Sequence, residues 1–195
     1  DYNSEFHFTG RPVPAVQGMD AKDKVVYLST FSRLLAPSIR IAYMVLPPAL
    51  LARYEEKYGG YASTVSRFEQ HTLKAFLEGG YLTRHVNRMR SLYRRRRDAL
   101  LSALSPLSDT GRVRISGGNA GLHLLCRCES LSKNALVRAC EQRRLRVYFL
   151  SDYYFPQTFC QSEAVLLGYA GMTEEQLTAG AALFQQALKE TQKTK

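Results

Sequence analysis

The stretch Ser29-Thr30-Phe31-Ser32-Arg33-Leu34-Leu35-Ala36-Pro37-Ser38-Ile39-Arg40 decides how the chain reads. Val25-Val26-Tyr27-Leu28 leads into it and Ile41-Ala42-Tyr43-Met44-Val45-Leu46 follows it. Both flanks are almost wholly apolar and rich in β-branched side chains. They predict two strands, 25–28 and 39–46, covered on both faces. Between Leu28 and Ile41 stand hydroxyls at Ser29, Thr30 and Ser32 and guanidiniums at Arg33 and Arg40. Those are the groups that hold a phosphate. The question is what Arg33 does there.

Outward from this loop, Pro47-Pro48 stops the second strand, and Pro48 suits the first turn of a helix running through Tyr58. A helix is expected from Ser63 to Leu77, ended by Gly79-Gly80, and a longer one from Tyr81 to Leu104. Upstream, Glu5-Phe6-His7-Phe8 reads as a strand. Beyond Ser105-Pro106 the units shorten. Strands are expected at 112–116 and 121–127 across Gly117-Gly118, then a helix at 132–143 with Ser132 as N-cap. Strands follow at 146–150 and 164–169, with a packed loop at Tyr153-Tyr154-Phe155-Pro156 between them. Thr173-x-x-Gln176 then opens a last helix with a capping box, carrying Leu177, Ala181, Phe184 and Leu188 on one face. The pattern is an incomplete α/β layer, a connecting helix and an α+β unit.

The 195 residues, 45% of them hydrophobic, suffice for a buried core. No apolar run reaches the length of a membrane span. The polar N-terminus lacks the order of a signal peptide and starts without Met, as a segment of a longer chain does. Four cysteines make no disulfide framework in a chain this long, and an intracellular setting is expected. Cys126 and Cys128 face one side of a strand without further ligands at metal spacing, which makes them core thiols. His7, His71, His85 and His123 are isolated. The net charge of +10 raises nucleic-acid binding as a function class. Its densest piece, Arg94-Arg95-Arg96-Arg97, lies on a helix, where four consecutive residues fan around the axis. A solvated helix with snorkelling stems is the expectation there.

DYNSEF (1–6), GRPVPAVQGMD (10–20) and VVYLSTFSRLLAPSIRIAYMVLPPALL (25–51) form an ordered series. With YRRRRDALLSAL, GGNAGLHL and LLGYAGMTEEQL, it resembles the aminotransferase-like region of MocR/GabR-type transcriptional regulators of the GntR superfamily. The resemblance covers essentially the whole chain. It implies the α/β fold of fold-type-I, pyridoxal-phosphate (PLP)-dependent transferases: residues 1–80 as part of the large PLP-binding domain, 81–105 as a connecting helix and 106–195 as the small α+β domain. It further implies a cytoplasmic homodimer that senses a small amino compound or vitamin. DNA contact would come through an N-terminal winged helix that lies outside this chain. A PLP-dependent aminotransferase of class I/II is the alternative.

By the same resemblance, Tyr2 takes the place of a tyrosine bonding the cofactor's ring hydroxyl. Thr30 and Ser32 stand where hydroxyls bond its phosphate, and Arg40 stands where an arginine clamps it. Arg33 occupies the position of the lysine that forms an imine with PLP. A guanidinium, with a pKa above about 12, stays protonated and is a poor nucleophile, so neither imine formation nor proton shuttling is expected of it. Three accounts of Arg33 stay open: a natural degenerate paralogue, an engineered lysine replacement, or a vestigial site in which it pairs with a buried carboxylate. The arginine that binds a substrate carboxylate in related proteins, shortly before the last strand, has no match in Gln161-Ser162-Glu163-Ala164.

Overall fold

The computed structural model describes residues 5–11, 14–108, 113–128, 132–155 and 162–193. The chain divides into two compact units, Asp1–Arg90 and Ser91–Lys195.

In the first unit, β1 (Tyr27–Thr30) and β2 (Ala42–Val45) pair antiparallel, with Tyr27 opposite Val45 and Thr30 opposite Ala42. Helix α1 (Pro48–Tyr58) begins on Pro48, whose missing N–H is not needed in a first turn. Helix α2 (Arg67–Glu78) starts four residues later than Ser63 suggested. The Ser63 hydroxyl instead closes a turn by accepting from the Val65 N–H at 3.2 Å, and Ser66 takes the N-cap position. Gly80, at φ +67°, lets the chain turn left-handed out of α2. Residues 5–8 form no full strand; His7 makes a single bridge. Phe6 and Phe8 are nonetheless buried, as are Leu34, Ile41, Leu73 and Val86. The Arg90 Nε donates to the Glu5 carbonyl at 2.9 Å and ties that segment down.

The expectation that both strands are covered fails within this chain. Leu28 is 60% exposed, and Tyr43, Met44 and Val45 also face water. The strands have the composition of a buried sheet, but among the described residues of this unit no element covers these side chains.

Helix α3 (Tyr81–Ser108) runs past Pro106, where a boundary had been expected. Proline cannot donate to the carbonyl four residues back, which is that of Ser102. The Ser105 hydroxyl fills the place, donating to it at 2.9 Å.

The second unit holds a four-stranded antiparallel sheet in the order β3-β4-β6-β5, made of β3 (Val113–Ser116), β4 (His123–Cys128), β5 (Tyr148–Phe149) and β6 (Val165–Gly168). Helix α4 (Lys133–Gln142) has Ser132 at its N-cap position, but the hydroxyl makes no capping bond. Helix α5 (Glu174–Lys193) opens with the expected box: the Thr173 N–H donates to Gln176 Oε1 at 2.9 Å, and the Gln176 N–H donates to Thr173 Oγ1 at 3.3 Å. One sheet face is dry. Val113, Leu124, Cys126, Phe149 and Val165 are buried, as are Leu100 and Leu104 of α3 and Leu177, Ala181, Phe184 and Leu188 of α5. Each fully buried Leu or Phe contributes about 1.5–3 kcal/mol. The loop at Tyr153-Tyr154-Phe155 is not packed: Phe155 is 98% exposed. Pro156 lies outside the described residues.

Candidate functional site

The loop between β1 and β2 is closed by backbone and hydroxyl together. The Phe31 N–H donates to the Ile41 carbonyl at 2.9 Å, extending the strand ladder by one step. The Thr30 hydroxyl donates to that same carbonyl at 3.0 Å and accepts from the Ser32 N–H at 3.1 Å. The single proton of Thr30 Oγ1 is thus engaged inside the loop. A phosphate oxygen only accepts, so Thr30 in this arrangement shapes the loop rather than donating to an anion. Leu34 and Ile41 anchor the loop by burial, and the Leu35 N–H donates to the Phe31 carbonyl at 2.9 Å. The ring of Phe31 lies 5.3 Å from that of Tyr43, and Tyr27 continues the aromatic row at 6.1 Å from Tyr43.

Ser32 is half-buried, while Arg33 and Arg40 are exposed. Arg40 closes a short 3₁₀ turn, Pro37–Ile39, in the left-handed region at φ +47°. A non-glycine residue there costs of order 1 kcal/mol or more, a strain typical of functional loops. The first unit thus brings Thr30, Ser32, Arg33 and Arg40 into one loop, with both arginines exposed. Tyr2 lies outside the described residues. In the turn that precedes β1, the Asp20 carboxylate accepts from the N–H groups of Lys22 (3.0 Å), Lys24 (2.5 Å) and Val25 (2.7 Å). These bonds, led by that from Lys22, stabilise the carboxylate and hold its pKa below the usual carboxylate range.

As a holder of PLP, the loop fits one part of the cofactor and not the other. Ser32 and the two arginines suit an anionic phosphate. Held covalently by a lysine, PLP supplies an electron sink to amine chemistry. Arg33, a protonated guanidinium, cannot make that link.

The Sγ atoms of Cys126 and Cys128 are 3.9 Å apart. Their hydrogen bond and burial push the Cys126 thiol up, while the same bond draws Cys128 down. No group of three potential metal ligands occurs among the described residues, and no helix among them is long and apolar enough to cross a membrane. Glu163, where a carboxylate-binding arginine was sought, accepts from the Ser151 and Ala164 N–H groups at 3.1 Å each and from the Ser151 hydroxyl.

The four consecutive arginines of α3 do fan apart, but they are not all solvated. Arg95 faces Glu174 at 3.6 Å and Arg96 donates to the Ala170 carbonyl. Arg97 is 7% exposed, donates to Asp98 Oδ1 through two nitrogens (2.8 and 2.6 Å), and reaches the Gly118 carbonyl at 2.9 Å. Reasoning from spacing missed this role, because spacing shows where a side chain starts and not which carbonyl it reaches.

No family model matches the chain. It is 40% identical over 182 residues to the uncharacterised HTH-type transcriptional regulator YhdI of Bacillus subtilis, covering 92% of this chain and 38% of YhdI. The probable rhizopine catabolism regulatory protein MocR of Rhizobium meliloti is 33% identical over 181 residues, with 92% of this chain and 36% of MocR covered. The chain therefore spans well under half the length of these relatives. Among solved structures, the multiple substrate aminotransferase of Thermococcus profundus superposes with a TM-score of 0.85 at 23% identity, over 100% of this chain and 48% of that one. That likeness establishes the fold. The chain belongs to the MocR-type HTH transcriptional regulators, as a stretch of their fold-type-I, aminotransferase-like part.

Proposed function

We propose that the chain is the effector-sensing part of a bacterial transcription regulator, and that its PLP-type loop no longer performs transamination. The observation that carries this reading is the 40% identity to an HTH-type regulator across 92% of the chain. Arg33 at the lysine position supports the loss of covalent chemistry. On this reading residues 1–80 are part of the large PLP-binding domain, 81–105 are the connecting helix and 106–195 are the small domain. Ser32 and Arg40 hold a phosphate-bearing ligand non-covalently, with Thr30 ordering the loop and Tyr2 next to the cofactor ring. Arg33 adds a fixed positive charge. The ligand sensed is a small amino compound or vitamin, the working form is a cytoplasmic homodimer, and DNA is bound by a region beyond these residues.

Borohydride trapping tests the chemistry. PLP incubated with the unmodified chain is expected to give no imine absorbance band and no reducible adduct on the peptide containing Arg33. Arg40→Ala is expected to weaken non-covalent PLP binding about tenfold or more, the value of one charge-assisted phosphate contact. Arg33→Lys is expected to restore the band. A reducible adduct on the unmodified chain refutes the reading and points to another lysine, Lys22 and Lys24 being nearest in sequence. An Arg33→Lys variant that stays unreactive shows that more than the lysine is missing. The fold shared with an aminotransferase favours one second reading, an amino-acid transaminase. Turnover of amino acids by the unmodified protein would establish it.

A further inference from the structure

We infer that the open face of the four-stranded sheet carries a second anion site, built on Arg114 and Arg127 and suited to a compact dianion. A phosphate group is its simplest ligand. Arg114 of β3 stands directly opposite Arg127 of β4 in the antiparallel register. Residues so paired point to the same face with their Cβ atoms about 5 Å apart, and like charges there repel. The face is the wet one, because the alternate positions Val113, Leu124 and Cys126 are buried on the other side. Arg114 is exposed and Arg127 half-buried.

A like-charged pair at this spacing needs a counter-charge, and the described residues supply none. No ion pair among them engages either guanidinium. Glu163, next to the segment that Arg127 reaches, has its carboxylate turned to Ser151 and Ala164. Arg127 is also held in place. Its Nε donates to Ser162 Oγ at 3.2 Å and its Nη1 to Ser116 Oγ at 3.1 Å. Two hydroxyls on either side of β4 therefore fix the fork across the sheet, leaving Nη2 with no hydrogen bond to a described residue. The Ser116 hydroxyl accepts from Arg127, so its own proton is available to a bound oxygen. A guanidinium held in place on Arg127, a second one opposite it on Arg114 and a hydroxyl, uncompensated among the described residues, are the donor set of a phosphate or dicarboxylate. The inference does not rest on the function proposed above: this site lies wholly in the second unit and the β1–β2 loop wholly in the first.

Phosphate titration of the full chain, in an Arg40→Ala background that removes the clamp of the first loop, tests it. Sodium chloride at matched ionic strength is the control, and thermal midpoint and the Arg127 Nε–H resonance are the readouts. Inorganic phosphate is expected to raise the midpoint and shift that resonance where chloride does not. Succinate as a second probe separates a phosphoryl from a dicarboxylate ligand, and a response to either supports the site. Arg114→Gln and Arg127→Gln, checked for folding by circular dichroism, are each expected to weaken the binding roughly tenfold or more. Arg114→Gln is also expected to raise the anion-free midpoint, because it removes the repulsion. A structural arginine would lower it. The inference is overturned by the absence of a response beyond chloride to both probes, by binding unchanged in the double variant, or by a lowered anion-free midpoint in Arg114→Gln.

Discussion

Arg97 offers the sharpest test of how the second unit is held together. Arg97→Met keeps the apolar stem and removes every donor. The bond to the Gly118 carbonyl is charge-assisted and buried on the arginine side, and bonds of that kind contribute about 1.5–3 kcal/mol. The pair with Asp98 contributes less, because the Asp98 side chain is 54% exposed, and half-exposed pairs are worth under about 1 kcal/mol. Together these give roughly 2–3 kcal/mol of destabilisation. In a protein of this size that lowers the thermal midpoint by about 4–12 °C. Hydrogen exchange at the β3 and β4 amides localises the effect, since Gly118 sits in the turn joining those strands. The internal control is Arg95→Met. Its partner Glu174 is half-exposed, and the change is expected to cost less than about 0.5 kcal/mol. If Arg97→Met falls within that same small margin, Arg97 is a snorkelling surface arginine and the argument from burial is wrong.

Two further outcomes follow from the second unit. Tyr169 is buried and its hydroxyl donates to the Gly121 carbonyl at 2.7 Å, with burial pushing its pKa up to about 12. A raised folded-state pKa contributes stability that is present below the unfolded value of about 10 and lost as pH climbs from there toward 12. Tyr169→Phe is therefore expected to flatten the alkaline limb of an unfolding titration over that window and to cost about 1–3 kcal/mol at neutral pH, the penalty for an orphaned carbonyl. Thr173→Ala removes half of the capping box of α5. It is expected to cost about 1 kcal/mol by urea denaturation, and Thr173→Ser is expected to restore most of it.

What the sequence disclosed, and what it hid, follows the range of the interactions involved. Pro48 and Thr173-x-x-Gln176 act within one helical turn, so the starts of α1 and α5 were legible. The start of α2 was misplaced because Ser63 and Ser66 are equally good N-caps on paper, and only the bond from the Val65 N–H decides between them. Pro106 looked like a stop because the hydroxyl that compensates it, one residue earlier, acts through a bond that composition does not reveal. The apolar runs at β1 and β2 were assigned correctly as strands, but covering is a property of neighbouring elements and not of the strand itself. The loop at Ser29–Arg40 was found from residue types alone. The engagement of the Thr30 proton by Ile41 was not, because it depends on the hairpin register. Register likewise hid the Arg114–Arg127 pair, thirteen residues apart in sequence and adjacent across the ladder.

The β1–β2 hairpin is the smaller of the two sheets among the described residues, four residue pairs long and open to water. A two-stranded ladder of that size is marginal by itself. The loop it carries therefore opens more readily than the sheet of the second unit, whose strands share a dry face. An anion arriving between Arg33 and Arg40 meets an ensemble in which only a fraction of molecules present Ser32 and both guanidiniums together. Its apparent affinity is lowered by that fraction. Anything that stiffens the hairpin, however far from the anion, raises occupancy without touching the ligand, so the loop's sensitivity can be set by whatever covers Leu28, Tyr43 and Met44.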